Sequence, residues 1–514
     1  MNRYRRFFSL LIALAMAMAV SMPAAATRDD RATLDRYARD TWQSFVSMVD
    51  PRTGLPADNI AGNLQAESRS GYTSPTNIGM YFWATLGARD LGLIGADEAV
   101  ARISMTLKTV EGMKRHDRSG QFWNWYSPQT GRVLTTWPEA PFNPVTPFAS
   151  SVDNGWLSSA LIMVANAVPE LRDRAWAMAQ SMDFGCYYDA NAKGPEGGGL
   201  IRGGFWLTPQ GGSVPGDYCG MGKPVQYTGH HYGAFNTEPR IASYIGIALG
   251  QIPAVHYFGG WRTFPDTCDW GWPETKPIGE WREYLGIDVF EGAYPYDNKL
   301  IVPTWGGSMF EALMVPLVVP EEEWGPTSWA VTHPLYVESQ IEYGLDEAGY
   351  GYWGFSPSSD PAGGYREYGV DVLGMDTAGY TSDVGRLTSI ESGWDDPACF
   401  RAPQSVSDYG QGVVTPHAAF LALDFDRKAT LDNLANLAAD FPTIYGAGGF
   451  KDAVNVATGQ VADRYLALDQ GMVIAALANE LTGNQLQGYL ATTLQPSIQP
   501  LMAIEEFGAG RGHP

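Results

Sequence analysis

Asp29-Asp30-Arg-Ala-Thr-Leu34-Asp-Arg-Tyr37-Ala38-Arg-Asp-Thr-Trp42-Gln-Ser-Phe45-Val-Ser-Met48 carries the clearest helical signature in the chain. Leu34, Tyr37, Ala38, Trp42, Phe45 and Met48 recur at three- and four-residue spacing, so they form one apolar stripe of a helix, with two acids at its positive end. The same signature recurs downstream. Ser74-Pro75 reads as a capping serine followed by a first-turn proline, ahead of an apolar face of Ile78, Tyr81, Phe82 and Leu86. From Asp97 a further face carries Val100, Ile103, Leu107 and Val110.

More helices are predicted at about 153–167, 169–182, 237–251, 306–316, 331–345, 415–424, 429–440 and 466–482, between segments rich in Gly, Pro, Trp and Tyr. Strands do not alternate with helices, and there is no dense series of period-two strands, which disfavours dinucleotide-fold, parallel-barrel and sandwich architectures. Short β segments fit 115–140, 185–215 and 350–375. Many helix pairs of similar length with decorated loops predict an all-α double ring of helices, an α/α toroid with short β segments in long loops. A solenoid is disfavoured because no fixed period repeats.

Residues 1–26 read as a signal peptide, with Arg3, Arg5 and Arg6 before an apolar run from Phe7 to Val20 and a small-residue cleavage site at Ala24-Ala-Ala26. The mature chain, 27–514, is expected to be one large domain, secreted or periplasmic, without stable membrane insertion. Net charge is −22, and removing three arginines gives −22 − 3 = −25, a balance that repels nucleic acid and polyanionic glycans. Cys186, Cys219, Cys268 and Cys399 are an even set in an exported chain. Two disulfides are expected; three connectivities are open, and adjacency favours Cys186 with Cys219 and Cys268 with Cys399.

Candidate chemistry lies where carboxylates, aromatics and glycines meet. Gly449-Phe-Lys-Asp-Ala-Val-Asn455, Tyr465-Leu-Ala-Leu-Asp469-Gln-Gly471, Phe235-Asn-Thr-Glu238-Pro-Arg240 and Trp305-Gly-Gly-Ser-Met-Phe-Glu311 read as the lining of a sugar cleft. Glycan chemistry needs acids and bases, aromatic faces for pyranose rings, and glycine where backbone comes close. Asp153, Glu238 and Asp469 each stand at or near the start of a helical run, where capping and the helix dipole alone would favour an acid. Their recurrence beside Trp156, Tyr232, Trp305 and Tyr465 points beyond capping. Trp125, Tyr126, Trp206, Trp353 and Phe355 supply further rings, of which core packing would claim a large share.

Metal and organic cofactors find little support. His230 and His231 are adjacent rather than one helical turn apart. Asp189-Ala-Asn191 opens like a calcium loop, but no acid closes it at the twelfth position, so that fragment alone speaks for a structural calcium. No zinc, nucleophile-elbow, phosphate-loop or dinucleotide motif stands in a fitting context.

On Phe122-Trp-Asn-Trp-Tyr126, Ser151-Val-Asp153-Asn-Gly-Trp156-Leu, Asn236-Thr-Glu238-Pro-Arg240-Ile-Ala-Ser-Tyr244, Trp305 to Glu311, Tyr352-Trp-Gly-Phe-Ser356, Thr415-Pro-His417-Ala and Tyr465 to Gly471, the chain resembles a bacterial glucoamylase-like family. That family includes the endo-β-1,2-glucanases of glycoside hydrolase family 144. The resemblance implies an (α/α)6 toroid that hydrolyses a neutral β-linked glucan with inversion and no organic cofactor. It implies Glu238 as general acid and Asp469 as base, with Asp153 and Glu311 binding substrate or tuning them. Trp125, Tyr126, Trp156, Tyr232, Arg240, Trp305, Trp353 and Tyr465 are the expected substrate-binding residues. An inverting pair should stand about 6.5–9.5 Å apart. Cys186–Gly220, His256–Asn298 and the stretch from Trp353 to Tyr380 depart from the family pattern as loop insertions that would reshape the cleft. A polysaccharide lyase on the same fold is disfavoured by the acidic balance, and a non-catalytic glycan binder is the reading from another class.

Overall fold

The computed structural model describes residues 28–193, 197–265, 275–375 and 412–512. The proposed signal peptide, Cys268 and Cys399 lie outside the described residues, as does most of the loop that follows Trp353 to Tyr380. Among the described residues no helix is long and apolar enough to cross a membrane.

The protein is rich in helices, which occupy two kinds of environment. Helices α1 (Arg28–Met48), α3 (Ala96–Gly112) and α5 (Arg172–Gln180) bury one stripe each; in α1 it is the predicted one of Leu34, Tyr37, Ala38, Trp42, Phe45 and Met48. Helices α2 (Pro75–Asp90), α4 (Ser151–Ala167), α6 (Arg240–Ala248) and α12 (Ala467–Thr482) are instead buried on nearly all sides. A helix apolar all round belongs inside, and these four form the inner layer. The remaining helices are α7 (Met309–Leu313), α8 (Glu321–Trp324), α9 (Trp329–Glu342), α10 (Pro416–Leu421), α11 (Arg427–Asp440) and α13 (Gln485–Met502).

Caps fix where the inner helices begin. The Ser74 hydroxyl accepts the Asn77 amide at 3.1 Å and Pro75 opens α2, while Ser150 accepts the Asp153 amide at 3.2 Å ahead of α4. Gly79, Gly155 and Gly471 each stand fifth in α2, α4 and α12. A Cβ on Gly79 would come within 3.0 Å of the Trp156 carbonyl oxygen, on Gly155 within 2.9 Å of the Ala242 Cβ, and on Gly471 within 2.7 Å of the Met80 Cβ. Successive inner helices therefore cross at bare backbone one turn past their starts, which gathers their N-termini at one end.

Short strands tie the loops to that end. Asn59–Ala61 pairs antiparallel with Arg464–Leu466, and Ala149–Ser150 pairs with Gly204–Trp206. The β segments predicted within 185–215 and 350–375 are present, whereas 115–140 holds only isolated bridges. The elements outside the predicted ranges include a long hairpin and a C-terminal helix. A hairpin of Ile278–Tyr284 and Ile287–Tyr296 turns through Leu285 (φ 53°) and Gly286 (φ 82°), the left-handed pair that a tight two-residue turn requires. Helix α13 contains Pro496 and Pro500, yet its stripe of Leu486, Leu490, Leu494, Ile498 and Leu501 is buried. Cys186 and Cys219 form a disulfide with Cα atoms 5.2 Å apart, the pairing that adjacency favours.

Candidate active site

The gathered N-termini open onto a cleft of about 900 Å³. The cap Ser74 with Thr76 and Asn77 of α2, Asp153 and Trp156 of α4, Glu238 just before α6, Phe310 of α7 and Leu468 of α12 all face it. One wall is aromatic. Tyr72 lies 4.3 Å from Trp137 and 5.5 Å from Trp125, and the two tryptophan rings are 5.9 Å apart, centroid to centroid. Another part of the wall is the hairpin through Ser359, Asp360 and Tyr365, the last of which is 52% exposed. Among the described residues six carboxylates, Asp58, Glu139, Asp153, Glu238, Asp360 and Asp463, line the cleft against a single arginine, Arg464.

Glu238 is the cleft carboxylate just ahead of α6. Burial pushes its carboxyl up to about 8, with the Glu311 charge adding to the shift, although the group still reaches the cleft. It therefore holds its proton at neutral pH. Glu311 lies behind it, buried in a capping box: its carboxylate accepts the Ser308 hydroxyl at 2.9 Å and the Gly306 amide at 3.1 Å. Burial raises Glu311 to about 7. Tyr232 packs close enough that Glu238 and Asp153, after burial itself, push its hydroxyl upward.

Asp153 stands in the first turn of α4, and one of its oxygens accepts the Thr76 hydroxyl at 2.7 Å. Its other oxygen has no protein partner among the described residues. Asp58 differs: both its oxygens are taken, by the Asn77 amide at 2.8 Å and the Asn59 amide at 3.0 Å, and burial raises its carboxyl. Asp153 is thus the cleft carboxylate with a free face beside Glu238's helix.

Several residues expected at the cleft lie elsewhere. Asp469 is 2% exposed and opens onto a separate cavity of about 10 Å³ shared with His417, Asp452 and Gln470. The two predicted catalytic acids therefore do not face one hollow. Burial first, and the neighbouring Asp452 second, push Asp469 well above the carboxylate range, whereas a base must ionise. Arg240 is buried against Glu321, at 2.8 Å through two nitrogens, and also donates to the Thr237, Glu311 and Ala312 carbonyls. It pins the Glu238 loop from behind rather than touching the cleft. Tyr126 spends its hydroxyl on the Lys114 carbonyl at 2.6 Å, Trp353 is enclosed with Asn433, and the Tyr465 hydroxyl accepts the Gly448 amide at 3.3 Å. Trp305 packs with Ala234, Phe264 and Met375. Of the predicted set, Asp153, Glu238, Trp125 and Trp156 line the cleft.

The Asp452 carboxylate accepts the Ser359 amide at 2.6 Å, so the buried acid pair sits directly beneath the cleft's hairpin wall. Burial pushes His417 down to about 3, so it brings no positive charge to the pair. An acid raised by its environment stabilises the fold below its unfolded value and loses that contribution as pH climbs toward its folded value. Asp452→Asn keeps the acceptor for Ser359 and removes the repulsion on Asp469. Its melting temperature should exceed the parent's by about 2–4 °C at pH 8 and match it at pH 5, as read by calorimetry.

Residues 277–487 match a family model described as "Putative glucoamylase". This part of the chain is glucoamylase-like. Residues 36–187 match a model for a protein of unknown function. The chain is 24% identical to the cyclic β-(1,2)-glucan synthase NdvB of Rhizobium meliloti (strain 1021), over 93% of its own length but only 19% of that relative. It superposes on an endo-β-1,2-glucanase from Chitinophaga pinensis, solved with sophorotriose and glucose, with a TM-score of 0.58 at 16% identity, covering 95% of this chain and 100% of that one. An endo-β-1,2-glucanase from Talaromyces funiculosus, solved with sophorose, gives 0.63 at 10% identity, covering 94% and 92%. At such identities the likeness is one of fold.

Proposed function

We propose that the protein is an exported glycoside hydrolase that cleaves a neutral β-linked glucan, acting within β-1,2-glucan chains. The observation that carries this reading is Glu238, a carboxyl raised to about 8, on the rim of an aromatic-walled cleft that also holds Asp153. Glu238 donates its proton to the glycosidic oxygen as the bond to the anomeric carbon breaks. Asp153 accepts a proton from the water whose oxygen joins that carbon from the opposite face, inverting it. Two proton transfers through solvent restore the pair. Tyr72, Trp125 and Trp137 offer faces for sugar rings, and the cleft's carboxylates accept hydrogen bonds from hydroxyls.

The activities of the two endo-β-1,2-glucanases of like fold support the choice of β-1,2-glucan. Inner and outer helices support an (α/α)6 double ring forming one catalytic domain from residue 27 onward. An acid-lined cleft also disfavours a lyase, which must neutralise a uronate carboxylate.

The test is incubation with linear and cyclic glucans of several linkages, followed by product sizing and fresh-product anomer analysis by NMR. A ladder of β-1,2-oligosaccharides with inverted anomers is the expected result; no cleavage of any glucan would leave a binding protein instead. Uronate polymers should be untouched, with at least tenfold lower rates than the neutral glucan, because six carboxylates line the path.

A further inference from the structure

A second hollow, of about 620 Å³, shares a wall with the cleft. The wall consists of residues 123–125 and 133–137, joined by the Tyr126–Val133 bridge and by the Leu134 amide donating to the Trp125 carbonyl at 2.8 Å. Trp125 and Trp137 face the cleft, while Trp123, Val133 and Thr135 line the second groove. The two hollows differ in charge. Among the described residues no carboxylate lines the groove, and it carries Lys114 and Arg132, both exposed. The nearest acids in sequence, Glu111 and Asp117, are paired with Arg174 and Lys223, and Lys114 and Arg132 have no ion-pair partner among the described residues. Thr135 and Thr146 offer hydroxyls, and Leu207 at the edge is 53% exposed.

In a chain of net charge −22, an acid-free groove next to an acid-lined one calls for a different ligand chemistry. We propose that this groove is a second saccharide site, which takes a sugar unit bearing a carboxylate or phosphate ester while uncharged units of the same glucan occupy the cleft; this rests on the hydrolase reading above. The threonines and Leu207 hold the sugar, and Lys114 and Arg132 hold the anion. The protein would then favour glucans substituted sparsely with anionic groups, and cut them at uncharged positions.

Calorimetric binding in a Glu238→Gln background, where the chain stays intact, tests this with a neutral β-1,2-glucan oligosaccharide and a carboxymethylated one of equal length. The charged probe should bind about fivefold more tightly at low salt, the scale of two exposed ion pairs. That preference should vanish in Lys114→Ala/Arg132→Ala and in about 0.5 M NaCl, with cleavage of the neutral glucan unchanged in the double variant of the active protein. Equal affinities, or a preference that survives the double substitution, would overturn the proposal. So would complete displacement by inorganic phosphate at an affinity equal to that of the charged glucan, which would make the groove a site for free anions. If the unsubstituted protein cleaves neutral glucan but shows no charge preference, only this inference falls; if it neither binds nor cuts either glucan, the hydrolase reading falls with it.

Discussion

Glu238→Gln is expected to slow glucan hydrolysis by about 10²–10⁴-fold while leaving the affinity for oligosaccharide nearly unchanged, because the amide preserves shape but cannot donate the acid's proton. The pH profile separates this role from simple binding. With the carboxyl raised to about 8, the parent's activity should fall as pH rises through that value and the donor ionises. The high-pH limb should be absent from whatever activity the variant retains. Stability should move the opposite way. The raised carboxyl costs the parent stability progressively from about pH 4.3 upward, as the unfolded chain ionises first. The glutamine variant escapes that cost, so its melting temperature at pH 9 should equal or exceed the parent's. Asp153→Asn should abolish turnover on the same scale. If it instead leaves turnover within tenfold of the parent, the base lies elsewhere in the cleft.

The largest loss of stability is expected from Arg240→Met. The substitution leaves Glu321, which is fully buried, without the two nitrogens that neutralise it, and removes the guanidinium donors of the Glu311 and Ala312 carbonyls, while the Thr237 carbonyl keeps only the backbone amide of residue 240. Breaking one side of a buried pair costs about 3–5 kcal/mol, read as a lowered urea midpoint at unchanged slope. Arg240→Met/Glu321→Leu should recover much of this, since the stranded charge is gone. Activity should recover less, because the loop that carries Glu238 still lacks its tether to Ala312. A double variant as unstable as the single one would show that the carbonyl contacts, not the ion pair, hold this region.

The helices were legible because their signals are local. Ser74-Pro75 starts α2 where capping chemistry says it must, and the stripe from Leu34 to Met48 is the buried face of α1. Glu238, Asp153, Trp125 and Trp156 were within reach for the same reason, since helix starts beside aromatics mark the converging ends. Asp469 shows where such reasoning fails. Leu468 and Asp469 are neighbours in one first turn, but successive helical residues point about 100° apart, so Leu468 meets the cleft and Asp469 turns into the core. Sequence spacing does not specify that rotation. Asp58, Tyr72 and Trp137 were missed because they lie in connecting segments without periodicity, and long-range pairing, such as Asn59–Ala61 with Arg464–Leu466, is what delivers them. The stripe in α13 was readable at Leu486, Leu490 and Leu494, but two prolines masked it.

The three glycines at the helix crossings divide labour within the molecule. Since Gly79 meets the Trp156 backbone, Gly155 meets Ala242 and Gly471 meets the Met80 side chain just below the cleft floor, the floor's diameter is set by how closely the glycines let these helices approach. The rim is made of a different material: a tryptophan-bearing wall held by isolated bridges and the hairpin through Ser359 and Tyr365. Drift in the rim can therefore retune which sugars are admitted while the acid stays where it is, and a methyl group added at any of the three crossings would disturb every substrate alike.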